Sequence, residues 1–184
     1  LQHIIGHAPF MAYEFYVNEH VLTPRADTEV LVEETFAAVK QMVSGKKQVF
    51  SERNQDFPEG EQVLSEKKQV LSEGEQTLKE KIQILDMCTG SGCIGLAVAS
   101  RVKDARVTLA DLSKDALAVA KKNIMSQHLS GRVKCVQVNA LEKPSAFLGK
   151  FDMIISNPPY ITSREMEELD HSVRDFEPHM ALHG

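Results

Sequence analysis

Apolar residues change their spacing three times along this chain, and each change marks a different kind of element. Between residues 10 and 22 they gather as Phe10-Met11-Ala12-Tyr13-Glu14-Phe15-Tyr16-Val17, pause at Asn18-Glu19 and resume at Val21-Leu22. Aromatic and β-branched residues interrupted by a turn dipeptide predict a short β-hairpin. Pro24 then ends the extended run, and Asp27 or Thr28 is placed to cap a helix. Leu31, Val32, Phe36, Val39 and Met42 give that helix its apolar face, and Ser44-Gly45 predicts its end.

Residues 46–80 follow a different rule. Set out in sevens they read KKQVFSE, RNQDFPE, GEQVLSE, KKQVLSE and GEQTLKE, with Gln, a large apolar residue and Glu each returning every seventh position. A heptad period can mark a coiled-coil seam, but here the apolar pair is adjacent (Val63-Leu64, Val70-Leu71) and Pro58 interrupts it. Charged residues outnumber apolar ones in the tract, so a mobile or loosely helical insertion is expected rather than a packed element. Lengthening a surface loop costs little, because closure entropy grows slowly with length.

From residue 82 the spacing changes again. Apolar strands at 82–86, 106–110, 133–138 and 151–155 alternate with helical patterns at 94–102 and 114–128. A β-α-β-α-β-β order at this spacing predicts an α/β fold with a parallel, Rossmann-like sheet, preceded by the hairpin; ligands of such sheets bind beyond the carboxyl ends of the strands. Three regions follow: hairpin and first helix at 1–45, heptad insertion at 46–80, and a ligand-binding domain at 81–184.

Composition narrows the function classes. The formal charge of −5 argues against a broad basic surface, so stable nucleic-acid binding is not expected. No apolar run is long enough to cross a membrane, and the first residues have neither a basic region nor a long apolar one, which predicts a cytoplasmic protein. Cys88, Cys93 and Cys135 lack CxxC spacing and a histidine cluster, as reduced thiols would. His179 and His183 are four apart, a spacing that can ligate metal on a helix; Pro178 and Gly184 argue against such a helix, leaving solvated histidines. Glu165, Glu167, Glu168 and Asp170 read as a solvated acidic helix face.

Two turns carry the candidate chemistry. Asp86-Met87-Cys88-Thr89-Gly90-Ser91-Gly92-Cys93-Ile94-Gly95 contains GxGxxG after a strand, and Asp111 ends the next strand, which would pass as a dinucleotide fingerprint. Asp86 stands before the glycines, where its carboxylate is expected to face the ligand crevice. It would repel a pyrophosphate and attract the amine and sulfonium of S-adenosylmethionine, and Asp111 could accept from two ribose hydroxyls. S-adenosylmethionine is therefore favoured over a nicotinamide dinucleotide, with a ligand-free tight turn as a third possibility.

The second turn, Asn157-Pro158-Pro159-Tyr160, follows the apolar strand directly. Two prolines fix the backbone and remove two N–H donors, so the Pro158 carbonyl can point outward as an acceptor beside the Asn157 amide. A planar amide or aromatic amine is a poor nucleophile because its lone pair is delocalised. A transferase must hold both its N–H bonds with acceptors and aim the nitrogen at the methyl carbon, and Asn157 and Pro158 supply two acceptors. Tyr160 is expected to cover the planar group with its ring. Orientation and fixed dipoles would then supply most of the acceleration, without a tuned general base.

These motifs resemble the release-factor glutamine methyltransferases, which modify the glutamine of the Gly-Gly-Gln motif in class I peptide-chain release factors. The tetrapeptide alone also occurs in methyltransferases acting on adenine N6, cytosine N4 and other planar nitrogens. The flanks narrow it: Glu14-Phe15-Tyr16, Val21-Leu22-Thr23-Pro24-Arg25-Ala26-Asp27-Thr28-Glu29, Thr89-Gly90-Ser91-Gly92-Cys93-Ile94 and Phe176-Glu177-Pro178 each resemble a family segment. The resemblance implies that Asp86, Met87, Cys88, Thr89, Gly90 and Gly92 cradle the methionine part of the cofactor. It implies Asp111 on the ribose, Asn139 and Ala140 beside the adenine, and Asn157, Pro158, Pro159 and Tyr160 around the glutamine amide, with Asn157 also near the methyl donor. This chain departs from the family pattern at Asn139, where an acid is usual, at Ala140, where a large side chain is frequent, and at Cys88, where glycine is frequent in methyltransferases generally. The family also has an N-terminal helical domain and further sheet strands after the Glu-Pro segment, so the sheet is expected to be incomplete at its C-terminal side. The enzyme alternative is an adenine-N6 nucleic-acid methyltransferase; the non-enzyme alternative is a catalytically silent binding module.

Overall fold

A computed structural model of the protein describes residues 2–53, 81–174 and 176–184. A single turn of helix, α1 (Gln2–Ile5), leads into an antiparallel hairpin of β1 (His7–Phe10) and β2 (Tyr13–Tyr16). The expected hairpin is present, but its turn is Met11-Ala12 and not Asn18-Glu19. Met11 adopts a left-handed backbone (φ 55°) with no glycine or asparagine to announce it. Ala8, Phe10 and Phe15 point inward and are buried.

The next helix, α2 (Glu29–Arg53), is entered through a 3-10 turn at Ala26–Thr28. Asp27 and Thr28 lie within that turn, and Thr28 directly precedes the first residue of α2. Val32, Phe36 and Val39 form the buried face that the spacing predicts. The backbone does not stop at Ser44-Gly45: α2 continues to Arg53. One helical glycine costs only about 1 kcal/mol relative to alanine, and Lys46-Lys47-Gln48 favours the helix immediately afterwards. The first heptad therefore begins as a continuation of α2. The remainder of the heptad tract, with the insertion proposed there, lies outside the described residues.

The second half builds a parallel sheet of β3 (Ile82–Met87), β4 (Ala105–Asp111), β5 (Val133–Gln137) and β6 (Met153–Ser156), in the order β5-β4-β3-β6. Two helices connect the first three strands, α3 (Cys93–Arg101) and α4 (Lys114–Ser126). Every residue of α3 from Cys93 to Ala99 is buried. That burial explains its nearly unbroken apolar run, with the sheet on one side and α2 on another. Arg101 ties α2 to α3 by stacking 4.7 Å from the Phe36 ring centroid and pairing with Glu33 at 2.9 Å.

Three short helices close the described chain: α5 (Ser163–Glu168), α6 (His171–Arg174) and α7 (His179–Leu182). Thr162 and Glu165 form a reciprocal capping box at the start of α5, and hydrogen bonds from the Thr162 N–H and hydroxyl to Glu165 Oε2 hold that carboxyl below its ordinary range. The acidic face predicted there is solvent-exposed. Ile161 pairs in parallel with His183, which brings the end of α7 back beside the residues that follow β6. Among the described residues no helix is long and apolar enough to cross a membrane.

Strand order decides where a ligand can sit. Chain direction reverses its progress across the sheet between β3 and β6, since β4 and β5 lie to one side of β3 and β6 to the other. A crevice opens at such a switch point, beyond the carboxyl ends of the strands. The register brings both predicted turns there: Met87 faces Ser156, so the glycine turn and the Asn-Pro-Pro turn leave the sheet side by side. The Ser156 hydroxyl donates to the Met87 carbonyl at 2.9 Å and fixes that adjacency.

Candidate functional site

The glycine turn is shaped by three backbone requirements. Gly92 begins α3 in a left-handed conformation (φ 83°) and leads the chain back against the sheet. Gly95 permits the closest approach of α3 to β3 and β4: a Cβ there would lie 2.4 Å from Leu109 Cδ2 and 2.9 Å from Asp86 Oδ2. Cys88 is also left-handed (φ 59°). The frequent glycine at this place in methyltransferases thus answers a conformational need as well as a size limit, and a non-glycine residue there costs about 1 kcal/mol or more.

Asp86 is not where the sequence suggests. It is fully buried beneath the turn and does not line the crevice. Its Oδ2 accepts from the Thr89 hydroxyl at 2.6 Å and from the Gly95 N–H at 2.9 Å, while Oδ1 is buried with no hydrogen-bond partner among the described residues. Removal from water pushes its carboxyl up to about 6, against the opposing effect of those two hydrogen bonds. The carboxylate therefore braces the turn from behind instead of meeting the ligand. Pleating accounts for this: a residue at the end of a strand presents its side chain to one face of the sheet, and Asp86 faces α3.

Asp111 is in the crevice. Its Oδ2 accepts from the Gly90 N–H at 2.9 Å and its Oδ1 from the Ser113 N–H at 3.0 Å, so two backbone donors fix the carboxylate while its remaining lone pairs stay available. Met87, Cys88, Thr89, Gly90, Asn139 and Ala140 line the same cavity. Asn139 is engaged with its own turn, donating to Glu142 and accepting from the Leu141 N–H. Burial pushes the Cys93 thiol up to about 12 and raises that of Cys88, so both stay protonated near neutrality and serve as small apolar liners.

Asn157, Pro158 and Pro159 line the other side of the cavity, and the Asn157 amide lies 3.5 Å from the Thr28 hydroxyl. Tyr160 is the second departure from expectation. Its side chain is 76% exposed and lies outside the cavity lining, so its ring does not cover a group bound there. The backbone of Ile161 is committed to Leu182 and Gly184, which fixes the course of the chain just after Tyr160.

Several liners escaped the sequence reasoning because they come from distant parts of the chain. Thr23, Pro24, Arg25 and Thr28 approach from the segment before α2, and Pro178, Met180 and Ala181 from the last turn of helix. Glu177 joins the two groups: its carboxylate accepts from Thr23 and Arg25. The available signal was the pair of flanking segments Thr23-Pro24-Arg25 and Phe176-Glu177-Pro178, whose contact only the tertiary fold reveals. His183 bonds Ser163 at 2.9 Å and stacks on His179, and no group of three or more metal-ligating side chains occurs among the described residues.

The cavity volume is about 480 Å³. That lies within the ~300–1,000 Å³ typical of small-molecule sites. A parallel sheet with a glycine turn, a carboxylate at the end of its second strand and an Asn-Pro-Pro turn across the switch point brings these three features around one cavity. The chain matches the methyltransferase small domain over residues 40–173 and belongs to that family.

Individual relatives are more specific. A protein named release factor glutamine methyltransferase from Chlorobaculum tepidum is 37% identical over 184 residues, covering 99% of this chain and 52% of that protein. One of the same name from Clostridium acetobutylicum is 34% identical over 184 residues, covering 100% of this chain and 52% of that protein. A ribosomal protein uL3 glutamine methyltransferase from Francisella tularensis is 43% identical over 99 residues, 54% of this chain and 31% of that protein. The chain thus spans about half the length of the release-factor relatives it matches.

Proposed function

We propose that this chain forms the cofactor- and acceptor-binding part of an S-adenosylmethionine-dependent methyltransferase acting on the side-chain amide nitrogen of a protein glutamine, namely the Gly-Gly-Gln glutamine of class I release factors. The observation that carries this reading is the pairing of the two turns across the switch point, with Met87 opposite Ser156 and both Gly90 and Asn157 lining one cavity. The names and coverage of the relatives support the choice of glutamine.

The residues present fit the cofactor. Gly90 lines the cavity, and no atom lies within 4 Å of where a Cβ on it would stand, so the turn leaves space that a ligand can enter. Met87 to Gly90 would hold the methionine part and Asp111 the ribose hydroxyls, with Asn139 and Ala140 at the adenine. Asp86 and Gly92 would act by shaping the turn. When bound, the cofactor supplies an electrophilic methyl group on a sulfonium.

The protein's share of the chemistry is placement. Asn157 Oδ1 and the Pro158 carbonyl can accept the two N–H bonds of the glutamine amide and turn its nitrogen toward the cofactor side of the cavity. Pro158 and Pro159 have no N–H of their own to compete for those acceptors. As the nitrogen gains positive character its N–H bonds become stronger donors, so both acceptors bind the transition state more tightly than the ground state. The departing proton can pass to water. Tyr160 remains part of the proposed acceptor motif in sequence, with its ring outside the cavity.

A second acceptor is favoured by one observation: the uL3-directed relative shares 43% identity over its matched span. Both acceptors present a glutamine amide, so the catalytic geometry does not distinguish them. Labelled S-adenosylmethionine offered together with a release factor, ribosomal protein uL3 and duplex DNA does. Label on the release factor supports the proposal; label on uL3 alone redirects it, and label on DNA overturns it.

A further inference from the structure

We infer that Glu177 is a positioning residue that locks two distant segments into one wall on the acceptor side of the cavity. The inference rests on the proposed function for its kinetic consequence, but not for its structural one. Glu177 precedes Pro178, the residue that caps α7, and its side chain is only 6% exposed. A carboxylate withdrawn from water must be compensated by donors. Here Oε1 accepts from the Thr23 hydroxyl at 2.6 Å and from Arg25 at 3.0 Å, and Oε2 accepts from the Thr23 N–H at 3.1 Å. The His3 imidazole lies 3.6 Å from Oε2 and also meets the Val21 carbonyl at 3.2 Å.

The partners belong to the segment before α2, more than 150 residues away in sequence. Thr23, Pro24 and Arg25 line the cavity from one side; Pro178, Met180 and Ala181 line it from the next. The last helix has its own tie to the residues after β6 through Ile161, and Glu177 is what joins it to the segment before α2. With it they share one anchor, and the segment continues to Thr28, whose hydroxyl meets the Asn157 amide. The glycine turn and Asp111 are held by their own hydrogen bonds, none of which involves Glu177. The fold therefore separates two tasks: the turn after β3 shapes the cofactor side, and the Glu177 anchor shapes the acceptor side.

Glu177→Gln is the direct test, because its amide nitrogen cannot accept what the oxygen it replaces accepts: two hydrogen bonds at the Oε1 place or one at the Oε2 place. Hydrogen exchange in the variant is expected to speed up together at Thr23 and across 178–184, while the amides of 89–95 keep their protection. In turnover, KM for the release factor is expected to rise about 10-fold or more, the scale of a misplaced acceptor wall, with the S-adenosylmethionine dissociation constant unchanged. Arg25→Ala removes only the exposed partner and should give a smaller effect. Combined with Glu177→Gln it should add less than its separate cost, because the two act through one contact. If 178–184 keeps its protection in Glu177→Gln, or if cofactor affinity falls in step with acceptor affinity, the inference is overturned. If the unmodified chain transfers no methyl group to glutamine, the proposed function falls while the exchange measurement still decides the anchor.

Discussion

Burial gives Asp86 a pH signature that a crevice-lining carboxylate would lack. The folded protein keeps its carboxyl protonated up to about pH 6, whereas an exposed aspartate releases its proton near 3.8. Between these values the unfolded chain gives up the proton first, so stability is greatest below the lower value and falls as pH rises to about 6, after which this contribution is constant. The difference corresponds to about 3 kcal/mol. Asp86→Asn can still accept from Thr89 and Gly95 through its amide oxygen and carries no charge. Denaturant unfolding should show the decline between pH 4 and 6 in the parent and none of that component in the variant; equal slopes would mean that Asp86 is not buried as described. Asn157 offers the complementary residue-scale test. Asn157→Ala removes the acceptor proposed for the reacting nitrogen and should lower kcat about 100-fold or more, as loss of a transition-state hydrogen bond does elsewhere, with calorimetric cofactor binding retained. Undiminished turnover would remove the amide-acceptor mechanism.

At the scale of elements, one side chain joins three. Asn123 of α4 is fully buried, accepts from the Tyr16 N–H at 2.8 Å, and donates to the carbonyls of Tyr16 and Ser91, both at 2.9 Å. Its amide thus docks the hairpin on α4 and ties both to the glycine turn. Lys122 reinforces the contact with its ammonium 3.2 Å from the Tyr16 ring centroid. Asn123→Ala leaves three polar backbone groups without this partner and should destabilise the fold by about 3 kcal/mol. A lower urea midpoint accompanied by faster exchange in β2 is the expected result. A midpoint unchanged within error would show that the hairpin docks independently of this amide. Periodicity made most elements legible: the four sheet strands, α3, α4 and the buried face of α2 all follow from apolar spacing. Misplacements arose where spacing carries no information. Met11 turns the hairpin in a conformation usually assigned to glycine or asparagine, and Gly45 lies within α2 because the residues after it favour helix.

At the scale of the whole molecule, the parallel sheet and the two turns were legible because each follows from local spacing and motif, while the strand order β5-β4-β3-β6 came only with the fold. The walls between the turns were not legible, since Glu177 meets Thr23 and Arg25 only after the chain has folded across the sheet. Pleat direction was also hidden in the glycine turn: sequence placed Asp86 next to the ligand, and the strand turned it toward α3. Tyr160 shows the same limit, because adjacency to Asn157 did not determine which way its ring points. The proposed function requires the two turns around this cavity to place a glutamine amide against a methyl donor. Mass spectrometry of a release factor incubated with this chain and S-adenosylmethionine tests that placement most directly. One added methyl group is expected on the glutamine of the Gly-Gly-Gln motif, forming about 100-fold or more slowly when Asn157 is replaced by alanine. A methyl group on any other residue, or one that forms at an undiminished rate with the Asn157→Ala protein, would contradict this placement.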